Sequence, residues 1–284
     1  MHRRPLAANC SMLFTELALL DRPAAAKAAG FDAIEFWWPW QQASPTDREV
    51  DAFVTAVRDA EVQLIGLNFF AGDLAGPDCG ALSVPALSAR FQENIAVAVG
   101  IGGQLGVPAL NALYGNRIVG VDPKQQDGLA FENLSLAAKA ADDIDAKVLI
   151  EAVSGTKPYP LRTADDAVAV VDRMRAAGHA NTAFLLDMFH LVSNGDDIDL
   201  AITAHHDKIG HVQIADAPGR GEPGTGNIDF EHHLDVLEHY GYRGCVALEY
   251  KPSTADTVSS LQSLDLSVGG TQNSCIHGAV GDPQ

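Results

Sequence analysis

The feature that most constrains this chain is an eightfold alternation of short apolar runs with longer helix-patterned segments. The apolar runs read as strands over residues 6–10, 31–36, 62–70, 108–114, 147–153, 183–189, 209–215 and 244–250. Helical patterns follow them at 23–29, 47–60, 85–105, 123–141, 163–177, 197–207, 230–240 and 253–264. Several boundaries carry helix chemistry. Thr46 with Glu49, and Thr163 with Asp166, place an acid three residues after an N-capping hydroxyl. Gly30, Gly106, Gly178 and Gly241 close helical segments. Eight strand–helix units in about 260 residues is the arithmetic of a (β/α)8 barrel. An open doubly wound sheet would alternate similarly, but no early strand leads into G-x-G-x-x-G. Gly100-Ile101-Gly102-Gly103 sits inside a helical pattern and is no phosphate loop. The expected architecture is α/β: a single (β/α)8 TIM barrel over residues 1–264, with residues 265–284 as a small, polar, flexible tail.

Composition narrows the function. With 19 Lys and Arg against 37 Asp and Glu, the net charge is −18, which opposes binding of a phosphate backbone. No apolar run is long enough to span a membrane. The opening MHRRPLAANCSMLF is broken at Asn9 and Ser11, too early for a signal peptide. Cys10, Cys79, Cys245 and Cys275 are far apart, so neither a disulfide framework nor a zinc–thiolate site is expected, and a cytoplasmic location fits. The remaining partner is a small molecule, with nucleic acid and membrane excluded and a homo-oligomer left open.

The chemistry is concentrated where carboxylates fall in the last four strands. A period of two puts Leu149 with Glu151, Leu185 with Asp187, His211 with Gln213, and Ala247 with Glu249 on one face. The opposite rows, Val148/Ile150, Phe184/Leu186, Val212/Ile214 and Val246/Leu248, are apolar and suit packing against helices. The polar row therefore points into the barrel. From Glu151 to Asp187 is 36 residues, to Gln213 another 26, and to Glu249 another 36, each about one β/α unit. Glu151, Asp187, Gln213 and Glu249 thus converge at the carboxyl ends of four successive strands, the rim where barrels keep their chemistry. Crowded carboxylates repel one another and lose hydration, a penalty that a divalent cation relieves. An all-oxygen donor set suits Mg2+ or Mn2+. Taken singly, each acid would equally suit a turn or a helix N-cap.

Other residues fill out a candidate pocket. His190 follows Asp187 in a D-x-x-H turn, and Arg220 lies in a long Gly/Pro-rich loop after strand seven. In so acidic a chain, an anionic substrate needs such a local cation. Glu35, Trp37, Trp38, Asn68 and Asn111 lie at early strand ends and are further pocket-lining candidates, with Glu35 and Asn68 taken as substrate contacts. Trp37-Trp38-Pro39-Trp40 either lines the pocket or covers an oligomer face.

Several stretches resemble a known family. They are residues 7–16 (AANCSMLFTE), Ile34-Glu35-Phe36, Leu149-Ile150-Glu151, Asp187-Met188-Phe189-His190, residues 211–220 (HVQIADAPGR), Glu222-Pro223-Gly224-Thr225-Gly226 and Leu248-Glu249-Tyr250. Together they resemble the hydroxypyruvate isomerases and the similar 2-oxo-tetronate isomerases among the xylose-isomerase-like barrels. The resemblance spans roughly residues 6–255. It implies a metal on Glu151, Asp187, Gln213 and Glu249, proton transfer by Glu151 and Glu249, and substrate contacts from His190 and Arg220. The implied reaction converts hydroxypyruvate to 2-hydroxy-3-oxopropanoate, or acts on a 2-oxo-tetronate, through an enediolate. The alternative is a ketose 3-epimerase acting on neutral sugars. Those epimerases carry His where this chain has Gln213, which favours the isomerase.

Overall fold

The computed structural model describes residues 5–264. In chain order the elements are β1 (Leu6–Asn9), α1 (Arg22–Ala28), β2 (Ala33–Phe36), α2 (Asp47–Asp59), β3 (Gln63–Asn68), α3 (Pro85–Leu105), β4 (Ala109–Asn111) and α4 (Pro123–Asp142). There follow β5 (Lys147–Glu151), α5 (Ala164–Ala176), β6 (Thr182–Asp187), α6 (Met188–Asn194), α7 (Ile198–His205), β7 (Ile209–Ile214), α8 (Phe230–His239), β8 (Val246–Leu248) and α9 (Thr257–Ser263). The strands pair in parallel in sequence order, and β1 also pairs with β8, which closes the barrel. The fold expected from the alternation is therefore present.

The two strand faces separate as the period of two requires. Val148, Ile150, Phe184, Leu186, Val212, Ile214, Val246 and Leu248 are buried in the large core between barrel and helices. Inside the barrel, mostly small side chains with Ile65, Leu149 and Leu185 among them pack in two clusters: Ala7, Ala33, Ile65, Cys245 and Ala247, and Ala109, Leu149, Ala183 and Leu185. Such fillers leave room for polar side chains at the carboxyl ends of the strands. The helices that cover the barrel begin as their capping residues dictate. Thr46 and Thr163 each form a reciprocal capping box, with Glu49 and Asp166 respectively.

The structure differs from the sequence reading in local detail. Residues 188–194 form the short helix α6, where the sequence reading carried the strand to 189 with His190 on the turn after it; the helix starts because Asp187 accepts the His190 backbone N–H at 3.1 Å. The segment 197–207 splits into α7 and a 3-10 turn, His206–Lys208. Cys10 and Cys79 are free, whereas Cys245 is disulfide-bonded, which no cysteine spacing indicated. Among the described residues no helix is long and apolar enough to cross a membrane. The expected tail, residues 265–284, lies outside the described residues.

Candidate active site

Strand register brings the four rim residues together. Asp187 at the end of β6 pairs in register with Gln213 on β7, and Gln213 with Ala247 on β8. Glu151 ends β5, and Glu249 follows β8 directly. All four are buried, at 2–5% exposure. Asp187 is both the N-cap and the site residue that sequence offered as alternatives. Its Oδ1 caps α6, and its Oδ2 lies 3.7 Å from both His190 Nε2 and Arg220 Nη2.

Crowding sets the electrostatics. Burial and the neighbouring Asp187 charge push the Glu151 carboxyl up to about 8, against a hydrogen bond from Asn111 Nδ2 at 2.9 Å. Burial likewise raises Glu249 well above the usual carboxyl range, although Arg220 opposes it. Gln213 Oε1 and Glu249 Oε2 are buried without a hydrogen-bond partner, as is Asn111 Oδ1. Buried oxygens without donors are costly; around them, Asp187 and Glu249 share the Arg220 guanidinium, and Glu151 and Asp187 offer oxygens within 4.8 Å of each other and of a His190 ring nitrogen. An all-oxygen set of Glu151, Asp187, Gln213 and Glu249 therefore fits a hard divalent cation.

Arg220 is held where it can act on this cluster. Asp216 organises its loop: Oδ1 accepts the N–H groups of Ala217 and Ile228, and Oδ2 those of Gly224 and Gly226, at 2.8–3.1 Å. Gly226 passes so close that a Cβ there would overlap the Ala217 carbonyl and the Asp216 carboxylate. Arg220 itself adopts φ 60°, a left-handed conformation that a non-glycine residue takes only when its surroundings impose it. The Lys251 N–H donates to the Arg220 carbonyl at 2.7 Å, and Arg220 Nε donates to the Glu249 carbonyl at 3.2 Å. The guanidinium Nη2 then meets Glu249 Oε1 at 2.8 Å. The loop is thus latched to the end of β8.

His190 is fixed in one tautomer. The Ser154 backbone N–H can only donate, and it reaches His190 Nδ1 at 3.0 Å, with the Ser154 hydroxyl at 2.8 Å. Nδ1 is therefore the acceptor, and Nε2 carries the hydrogen, 3.7 Å from Glu151 Oε1 and Asp187 Oδ2. Burial lowers the imidazole to about 4, so it is a neutral donor at ordinary pH. A protonated Nε2 cannot ligate a cation, which separates His190 from the four oxygen donors.

The tryptophan stretch divides. Trp37 Nε1 donates to Glu249 Oε1 at 2.7 Å, and its ring lies 5.9 Å from the Arg220 guanidinium, with Phe189 at 5.4 Å. Trp38 and Trp40 pack edge-on against each other, and Trp40 against Phe53. Asn68 and Asn111 line a small cavity beneath the rim together with Asn9, Glu35 and Gln213. Glu35 lies in that lower layer, bonded to protein side chains. His211, which faces inward but received no role from sequence, is its partner. A separate cluster of Asp199, His232 and His233 lies at the surface between α7 and α8.

A closed parallel barrel whose rim gathers three carboxylates, an amide oxygen and an arginine defines a barrel enzyme built for polar small-molecule chemistry. The chain belongs to the xylose isomerase-like TIM barrel family, whose model matches residues 23–266. It is 55% identical to a Streptomyces coelicolor protein named putative hydroxypyruvate isomerase, covering 90% of this chain and 94% of that one. It is 31% identical to the Escherichia coli hydroxypyruvate isomerase, with 91% and 97% covered. A 2-oxo-tetronate isomerase of Cupriavidus necator is 32% identical, with 87% and 92% covered. Among solved structures, one from Brucella melitensis named AP endonuclease, family 2, superimposes with a TM-score of 0.81 at 29% identity, covering 92% of this chain and 97% of that one. By this kinship the chain is an isomerase.

Proposed function

We propose that the chain interconverts a small hydroxy-keto acid and its isomer, hydroxypyruvate and 2-hydroxy-3-oxopropanoate or a 2-oxo-tetronate pair, with Mg2+ or Mn2+ held by Glu151, Asp187, Gln213 and Glu249. The relatives named for these reactions support the substrate class. The single observation that carries the cation is that Gln213 Oε1 and Glu249 Oε2 are buried without a hydrogen-bond partner at the strand ends that also carry Glu151 and Asp187.

The reaction moves a proton between C3 and C2 through an enediolate. A bound divalent cation supplies Lewis acidity toward the oxygens on those carbons. Glu151 and Glu249 are the proton carriers: one removes the C3 proton, the hydroxyl proton on O3 passes to O2 of the enediolate, and a carboxyl returns a proton to C2. Their raised proton affinity suits a base that must also give its proton back. His190 donates its Nε2–H to a substrate oxygen while staying neutral. Arg220 attracts the substrate carboxylate. Its Nη2 already pairs with Glu249, so the incoming carboxylate competes with Glu249 for that donor and loosens it for proton transfer. Trp37 holds Glu249 during the exchange.

The test is a turnover screen with Mn2+ over hydroxypyruvate, 2-oxo-tetronates, fructose and tagatose. Turnover of the keto acids far above the ketoses is expected. Faster epimerisation of fructose or tagatose would contradict the reading and favour the 3-epimerase, which works a proton on and off one carbon.

A further inference from the structure

Beneath the rim lies a buried carboxylate that the reaction above does not use. Glu35, on β2, is 3% exposed and accepts three hydrogen bonds from buried donors. Its Oε1 takes Asn9 Nδ2 at 2.8 Å and Gln213 Nε2 at 2.7 Å, and its Oε2 takes His211 Nε2 at 2.6 Å. Asn9 Oδ1 already takes the Ser11 backbone N–H at 3.0 Å, so Asn9 Nδ2 is the end that meets Glu35, and Glu35 Oε1 is an acceptor in this cluster. The barrel also closes tightly on it, since a Cβ at Gly66 would stand 3.2 Å from Glu35 Cβ and Oε2.

This fixes Gln213. The two ends of a primary amide are nearly alike in shape, so packing alone does not choose between them. A carboxylate does choose: it takes the NH2 group and repels the carbonyl. Gln213 must turn Nε2 down to Glu35, and Oε1 is the atom left buried without a partner.

We propose that Glu35 is a positioning residue that sets the Gln213 amide so that oxygen, and not NH2, is presented to the divalent cation. Asn9 and His211 hold Glu35 in turn. This rests on the cation reading above, because an NH2 group turned toward a cation would repel it and contribute no lone pair. Removing such an orienting partner weakens metal binding on the order of 10–100-fold.

The experiment is calorimetric titration of the metal-stripped full-length chain with Mn2+, for the wild type, Glu35→Gln, and the exchange variant Glu35→Gln/Gln213→Glu. Glu35→Gln should bind Mn2+ roughly 10–100-fold more weakly, with KM unchanged and kcat largely regained at saturating Mn2+. The exchange variant presents an oxygen whichever way residue 213 turns, so its affinity should return toward the wild-type value. Wild-type affinity in folded Glu35→Gln, or an exchange variant as weak as the single one, would overturn the positioning role and leave the cation reading intact. A wild type that binds no Mn2+ would remove both. If Glu35→Gln does not fold, a Mn2+-loaded wild-type crystal decides. Gln213 Oε1 on the ion with Nε2 on Glu35 supports the role, and either contact missing overturns it.

Discussion

Crowding three buried carboxyls should make the cation-free protein weaken as pH rises, in a window the site itself defines. Glu151 is raised from 4.5 to about 8. The folded chain therefore keeps a proton there that the unfolded chain has lost. The associated stability is complete below pH 4.5 and disappears as pH climbs to 8. His190 acts in the opposite sense, because its lowered value, from 6.5 to about 4, removes stability as pH falls below 6.5. Between pH 6.5 and 8 the carboxyls act without it. The 8 − 6.5 = 1.5 units left to Glu151, at about 1.36 kcal/mol each, amount to about 2 kcal/mol. Glu249 works in the same direction. For a chain of this size that lowers the melting temperature by roughly 4–8 °C. Calorimetry of chelator-treated protein at the two pH values reads the drop directly. Glu151→Gln should shrink it, and saturating Mn2+ should cancel it, since a ligand at 100 times its Kd adds about 2.7 kcal/mol. A melting temperature that is level across the window, or a decline unchanged in Glu151→Gln, would refute the reasoning.

Three substitutions probe the rest of the site. Glu249→Gln should lower kcat on hydroxypyruvate by at least ~100-fold, while the cation-free variant at pH 8 melts no lower than the wild type. Arg220→Ala should reduce kcat/KM on carboxylated substrates by roughly 10–100-fold, and far less on fructose or tagatose. Trp37→Phe keeps the ring but removes the N–H donated to Glu249. A charge-assisted bond of about 1.5–3 kcal/mol predicts a loss of ~10–100-fold in kcat, with KM changed little. Steady-state kinetics on the keto acid checks each.

The barrel and half of the site were legible because both rest on short-range patterns. A period of two fixed which face of β5 to β8 carries Glu151, Asp187, Gln213 and Glu249, and the intervals between them matched one structural unit each. What sequence did not reveal arises from closure of the barrel. Trp37 donates to Glu249 across 212 positions, and His211 meets Glu35 across 176. Neither separation has a pattern, so Glu35 read as a substrate contact although its bonds are to Asn9, His211 and Gln213. Helix α6, seven residues long, was too short for a 3.6-residue period to declare itself. The aromatic stretch was ambiguous because its members divide: Trp37 enters the site, while Trp38 and Trp40 pack against each other beside Phe53. The tautomer of His190 depended on a backbone N–H from Ser154, which no side-chain motif encodes.

The most direct measurement is a titration of stripped enzyme with Mn2+, reading bound ion and hydroxypyruvate turnover in the same samples. Turnover should be absent at the start and rise in proportion to bound ion until each chain holds one. Full turnover with the ion verifiably removed, or bound ion that leaves turnover flat, would contradict the shared cation at the rim.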